Sequence, residues 1–260
     1  MKFWYSTPIV IWLLGGIAVA QDTSPPPALS EQSLEELMTM RVDTVSGAVK
    51  REQLVTEAPS SVTVVTAREI ATYGWRTLAD VLRATRSFYV TYDRNYAYLG
   101  ARGFGRPTDY NSRVLLLVNG HRLNDNVYDA STIGTDFPMD LALVERIEII
   151  RGPGSALYGT SAFFAVVDVI TRRGGALGGV EGSVEVASFN TWRARGSYGV
   201  TDSRDRDLLV SVSHLSSDGV GTLHFPEYDD PATGPGISVG ADGEQASSLF
   251  TAVRLGRLTL

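Results

Sequence analysis

From residue 180 onward apolar and polar side chains take turns one by one, and a period of two is that of a β-strand with two unlike faces. In Val180-Glu181-Gly182-Ser183-Val184-Glu185-Val186 the valines share one face and the glutamates and serine the other. Trp192, Ala194, Tyr198 and Val200 oppose Arg193, Arg195 and Ser197 in the next segment. Leu208, Val210 and Val212 then oppose Ser211 and Ser213, and the pattern returns through Leu249, Val253 and Leu255. Strands of about ten residues with one apolar and one polar face suit a barrel wall whose outside meets lipid and whose lumen is wet. A soluble β-sandwich alternates too, so the pattern leaves both open. Phe189, Trp192 and Tyr198, aromatics near strand ends, favour the membrane as interfacial girdle residues. The connections agree: if the first strand rises from the periplasm, 190–191 falls outside, 201–206 inside and the long 216–246 outside. Long outer loops over short inner turns is the habit of such barrels.

The other end of the chain carries an export signal. Lys2 precedes an apolar run through Ile9, Val10, Ile11, Trp12, Leu13, Leu14 and Ile17, closed by Ala18-Val19-Ala20 before the polar Gln21-Asp22-Thr23. That run is short for a membrane span and ends on an A-x-A cleavage pattern, so residues 1–20 are expected to be a signal peptide. Residues 21–53 follow as a periplasmic linker, with Pro25-Pro26-Pro27 extended and Ser33-Leu34-Glu35-Glu36 as a capping box for a short helix.

Between them the pattern is that of a compact mixed domain, expected at 54–174. Ser61-Val62-Thr63-Val64-Val65-Thr66 is a β-branched strand; 68–73 and 77–84 read as short helices. Strands are expected at 88–92, 98–102, 113–118, 144–151 and 165–171, with Asn119-Gly120 as a hairpin signal.

The residues now carry a resemblance. Val144-Glu145-Arg146-Ile147-Glu148-Ile149-Ile150-Arg151-Gly152-Pro153-Gly154-Ser155-Ala156-Leu157-Tyr158-Gly159, continued by Val166-Val167-Asp168-Val169-Ile170-Thr171, resembles the plug domain of TonB-dependent outer-membrane receptors. Ala58-Pro59-Ser60-Ser61, Leu78-Ala79-Asp80-Val81-Leu82, Ala101-Arg102-Gly103-Phe104 and Asn119-Gly120-His121-Arg122 match in the family's order. Two departures stand out. The family has Pro-Gly after the second helix, where this chain has Thr85-Arg86-Ser87, and Gly-Val-Ile-Asn in the late strand, where it has Ala165-Val166-Val167-Asp168.

The resemblance implies an α+β plug, a small mixed sheet with short helices, followed at 175–260 by the first antiparallel strands of a transmembrane β-barrel. Family barrels have about 22 strands, which need on the order of 400 residues after the plug. The residues here suffice for about four, an incomplete barrel that alone neither closes nor transports. The implied function is a monomeric importer in the bacterial outer membrane, taking up a ferric siderophore, cobalamin or similar scarce ligand. Its implied partners are the inner-membrane protein TonB, outer-membrane lipid, and a small-molecule or metal-chelate ligand. The implied TonB box is Val42, Asp43, Thr44, Val45 and Ser46, since strand addition to a partner needs only an extended, undemanding sequence. Apical plug loops would present Asn95, Tyr96, Tyr98, Asn124, Asp125, Asn126 and Tyr128 to the ligand. Arg102 and Arg151 fall at the family's plug arginines, which meet glutamates of the barrel wall; Glu145 and Glu148 are alternative partners within the sheet.

Other classes find little support. The net charge of −6 gives no footprint for nucleic acid, and the absence of cysteine excludes disulfide scaffolds and thiolate zinc sites. His121, His214 and His224 lack metal-ligand spacing, Leu157 stands where a dinucleotide fingerprint needs its third glycine, and no Gly-x-Ser-x-Gly elbow occurs. No catalytic residue, metal or cofactor is therefore expected. The alternatives are a secreted soluble β-rich binding protein and a non-functional truncated receptor.

Overall fold

The computed structural model describes residues 61–256, with the backbone of Thr44–Val45, Gln53–Leu54 and Leu258–Thr259. The expected signal peptide, the proline linker, the Ser33 capping box and Val42, Asp43 and Ser46 lie outside the described residues. β1 (Thr44–Val45) and β2 (Gln53–Leu54) pair antiparallel, Thr44 opposite Leu54 and Val45 opposite Gln53.

The first compact layer begins with β3 (Ser61–Thr66), which runs straight into α1 (Ala67–Tyr73). Thr66 ends the strand because its hydroxyl accepts from the Glu69 amide while Glu69 reaches back to the Thr66 amide at 2.7 Å. Thr77 and Asp80 repeat this reciprocal cap at α2 (Leu78–Ala84), whose Leu78, Val81 and Leu82 are fully buried. The left-handed residue that the family supplies as glycine is present here, but Ser87 carries it, at φ 75°.

A hairpin of β4 (Phe88–Tyr92) and β5 (Ala97–Ala101) follows, then β6 (Val114–Val118) and β7 (His121–Arg122). Asn119 and Gly120 between these last two both take positive φ, 51° and 79°, the geometry that makes Asn-Gly a tight hairpin turn. β8 (Val144–Arg151) and β9 (Ala165–Thr171) complete a five-stranded sheet in the order β3-β8-β9-β6-β7. Between them lies the single turn α3 (Ser155–Tyr158). Within this sheet only β6 and β9 run parallel. Ile147, Ile149, Val167, Val169, Val114 and Leu116 face α1 and α2 to form the main core, and Leu115, Leu117, Ile150 and Val166 form a smaller one behind.

The alternating segments form a second sheet. α4 (Gly174–Leu177) leads into β10 (Gly179–Ala187), β11 (Thr191–Thr201), β12 (Arg206–Ser217) and, after a long loop, β15 (Glu244–Leu255), which pairs with β16 (Leu258–Thr259). The loop holds its own small hairpin, β13 (Thr222–His224) with β14 (Ile237–Val239). Val180 is 85% exposed, Val184 76% and Leu249 70%, whereas Arg195 at 8%, Ser197 at 4% and Ser211 at 3% are buried on the opposite face. Such a sheet is inside-out for a soluble sandwich: its apolar side faces outward and its polar side packs inward.

Hydrogen bonds within the sheet satisfy much of the inner face, though the buried Arg195 Nε has no partner. Arg195 donates to Ser197 Oγ at 2.7 Å and to Glu181 at 2.6 Å, and Ser197 and Ser211, directly opposite in register, bond at 2.8 Å. One expectation needs correcting. The inner face is not uniformly polar, because Leu209 and Ala252 are buried in the main core of the first layer and the partly buried Phe250 packs against it.

Candidate functional site

Three loops converge at one end of the β4–β5 hairpin. Asp93 organises the first: its Oδ1 accepts from the amides of Asn95 at 2.9 Å and Tyr96 at 2.7 Å, and its Oδ2 from the Tyr98 hydroxyl at 2.7 Å. The backbone amide of Tyr96, the Tyr98 hydroxyl and the Asn95 amide all favour the ionised carboxylate, so Asp93 is held below the usual aspartate range. The same bond to Asp93 pushes the Tyr98 hydroxyl up to about 12. Tyr98 thus keeps its proton and serves as a strut.

The second loop joins through Tyr110 and Asn111. The Tyr110 ring meets Tyr96 edge-on at 5.2 Å and Tyr98 at 6.0 Å. Buried Asn111 accepts from the Leu99 amide at 2.6 Å and donates to the carbonyls of Ala97 at 3.0 Å and Ser131 at 2.9 Å. One amide side chain therefore ties the 93–98, 106–113 and 124–131 segments together. Neither residue stood out in the sequence, since Asn in a polar loop has the same composition whether solvated or buried.

In the third loop Asn124 is buried, accepting from Leu116 N at 2.9 Å and donating to the carbonyls of Val114 at 3.0 Å and Asp129 at 2.8 Å. The Asp125 carboxylate accepts from the amides of Val127, Tyr128 and Ala130, of which the Tyr128 and Val127 bonds chiefly hold it below the ordinary range.

The expected contact set is corrected accordingly. Tyr98 and Asn124 are buried supports, because burial leaves their polar atoms to be satisfied by the protein itself, and the exposed Asp125 is a turn-former bonded to three amides of its own loop. Asn95, Tyr96, Asn126 and Tyr128 are exposed, and Tyr110 joins them beside Tyr96. The acidic long loop also spends its charge locally: Asp229 accepts from Gly236 N at 2.8 Å and pairs with His224, and Asp230 accepts from Ala232 N at 2.7 Å. Among the described residues no group of His, Cys, Asp and Glu has the arrangement of a metal site.

Arg151 donates to the Arg86 carbonyl at 3.1 Å and to Ser61 Oγ at 2.8 Å, and its buried Nε has no hydrogen-bond partner. Arg102 is exposed at φ 53°. Arg146, not Arg102 or Arg151, takes up the sheet glutamates, Glu145 at 2.8 Å and Glu148 at 3.1 Å.

The two sheets are joined along a seam that begins at the link between them. The Asp207 carboxylate accepts from the amides of Gly174 at 3.0 Å and Gly175 at 3.1 Å and from the Thr201 hydroxyl. Only glycine fits at Gly174, where a Cβ would collide with the Leu208 carbonyl. Arg172 to Glu181 at 3.3 Å, Arg193 to Asp140 at 3.7 Å and Arg76 to Glu185 continue the seam between the layers.

Residues 55–166 match the family model of the TonB-dependent receptor plug domain. The chain is 30% identical over 195 residues to the vitamin B12 transporter BtuB of Vibrio vulnificus, an alignment that takes in 71% of this chain and 30% of that protein. It is also 30% identical over 125 residues to the iron-regulated outer membrane virulence protein of Vibrio cholerae, covering 46% of this chain and 18% of that one. The chain thus spans less than a third of the curated relatives it matches. In fold it is similar to the ferripyoverdine receptor of the Pseudomonas aeruginosa outer membrane, at a TM-score of 0.58 and 19% identity over 81% of this chain and 25% of that receptor.

Proposed function

Since this chain belongs to the TonB-dependent outer-membrane receptors, with their plug domain at 55–166, we propose that it is part of an importer that draws a scarce ligand through a plugged barrel. The observation that carries this reading is the inside-out sheet: β10, β11, β12 and β15 turn valine and leucine outward and hold a hydrogen-bonded polar face against the plug. Lipid solvates such an outer face at no cost, whereas water does not.

In this reading 175–260 is wall, 54–174 is plug, and the loops at 93–96, 106–113 and 124–131 face the ligand. Exposed Asn95, Tyr96, Asn126 and Tyr128 offer amide and phenol groups and ring faces, chemistry suited to a siderophore or a corrin side chain. The related proteins are a vitamin B12 transporter and receptors of iron chelates, so cobalamin and ferric siderophores are the first ligands to test. The TonB box is assigned to 42–46. Its central Thr44–Val45 is already extended and pairs with Gln53–Leu54, the conformation that strand addition to a partner uses.

Uptake of labelled cyanocobalamin and of ferric siderophores by cells carrying the receptor gene tests this. Val45→Pro removes a main-chain donor, so energised uptake is lost while binding persists. Uptake that survives the substitution overturns the coupling assignment; a receptor that binds none of these ligands overturns the importer reading.

A further inference from the structure

Arg94 lies in the turn between Asp93 and Asn95, and takes a positive φ of 74° there. Its guanidinium reaches across to the other layer and pairs with Asp242 Oδ1 at 2.8 Å. Asp242 is itself committed to the neck of the long loop. Its second oxygen accepts from Val220 N at 2.8 Å, and Gly219, at φ 64°, passes so close to the Asp242 backbone that a Cβ would collide with it. Both strands of the neck, 219–220 and 242, are therefore held by the carboxylate that Arg94 grips. The Tyr92 hydroxyl donates to the Arg94 carbonyl at 3.0 Å, which fixes the other side of the turn. Beside this contact Thr135 donates to Glu244 at the start of β15, a second strap from plug to wall.

We propose that the Arg94–Asp242 pair is a coupling latch that makes the position of the 93–96 turn and the position of the 218–243 loop one linked variable. The inference rests on the reading that this turn faces ligand and this loop faces outward, but the linkage itself is a property of these residues. Its physical basis is charge and reach. The bond is charge-assisted, it joins segments 148 residues apart, and the turn it grips is rigid, because Asp93 fills it with three hydrogen bonds. A rigid turn transmits displacement to its guanidinium, and Asp242 delivers it to Val220. Linkage is reciprocal: a loop pulled outward must act on Asn95 and Tyr96 to the same extent.

Amide hydrogen exchange on the protein in detergent, with no ligand added, tests the latch. Tyr98→Phe deletes one bond to Asp93 and loosens the turn without touching Arg94, Asp242 or the neck; Asp93→Ala, which removes all three bonds, is the stronger version. In the Arg94-containing protein these changes should speed exchange at Val220 and at 240–243 by about threefold, the scale of one partly exposed ion pair. In an Arg94→Ala background the same changes should leave the neck alone, and 1 M salt should mimic Arg94→Ala. Neck exchange that ignores Tyr98→Phe and Asp93→Ala in the Arg94 protein overturns the proposal. So does an equal response in both backgrounds, which would make Asp242 a cap for Val220 and nothing more. Because no ligand enters, failure here is separable from failure of the importer reading, which the uptake assay decides.

Discussion

Asp168 sits in the middle of β9, directly opposite Glu148 of β8, and is only 7% exposed. Burial is the main force on its carboxyl, and the neighbouring Glu148 charge adds to it; the Gly120 amide, which donates to Oδ1 at 3.1 Å, and Arg146 act in the opposite sense. The balance raises it from 3.8 to about 6. A folded value above the unfolded one means that the native sheet holds this proton more tightly than the unfolded chain, so stability falls as pH rises between the two values. Well below pH 3.8 the residue is neutral in both states and contributes no penalty; well above pH 6 the whole penalty applies, about 3 kcal/mol at 1.36 kcal/mol per pH unit. Asp168→Asn keeps an acceptor for Gly120 and removes the charge, and restores the residue that the family carries at this position. The variant should therefore exceed the parent by only about 0.5 kcal/mol near pH 4 and by about 3 kcal/mol at pH 7.5. Hydrogen exchange at the β6 and β9 amides, corrected for intrinsic rates and followed from pH 4 to 8, measures the opening free energy directly. If both proteins lose protection with the same pH slope, the account of Asp168 is wrong and the charge is relieved in some other way.

Three further outcomes follow from the geometry. Ser87→Gly removes a side chain from a left-handed backbone while the Ser87 carbonyl keeps its bond to Arg102 N; it should stabilise the fold by about 0.5–1 kcal/mol in thermal or denaturant melting, and a loss would show that the Ser87 side chain has a role of its own. Asn124→Ala strands Leu116 N and the Val114 carbonyl in the interior and should cost about 2–3 kcal/mol in the same assay, whereas Asn126→Ala, on the exposed part of that loop, should be close to neutral. On the outer face Val184→Arg should lower stability in lipid by about 2–4 kcal/mol, a cost that a water-facing sheet would not register.

Much of this architecture is legible in the sequence alone. The period-two alternation after residue 180 placed β10, β11, β12 and β15 and told which side of each was apolar, because in a strand successive side chains must point to opposite faces. Asn119-Gly120 announced its turn, since few other pairs tolerate two left-handed residues in succession. What alternation does not encode is the medium on each side. Leu209 and Ser211 share a face, yet Leu209 entered the plug core and Ser211 met another serine, because the plug touches that face only along part of its height. The loops were less readable still. Tyr98, Asn124 and Asn111 have the composition of solvated loop residues, and their burial depends on carbonyls and amides brought from up to twenty residues away. Local sequence governs φ, ψ and facing; whether a polar atom meets water, lipid or another part of the chain is settled only when distant segments close over it, since desolvation acts through space and not along the backbone.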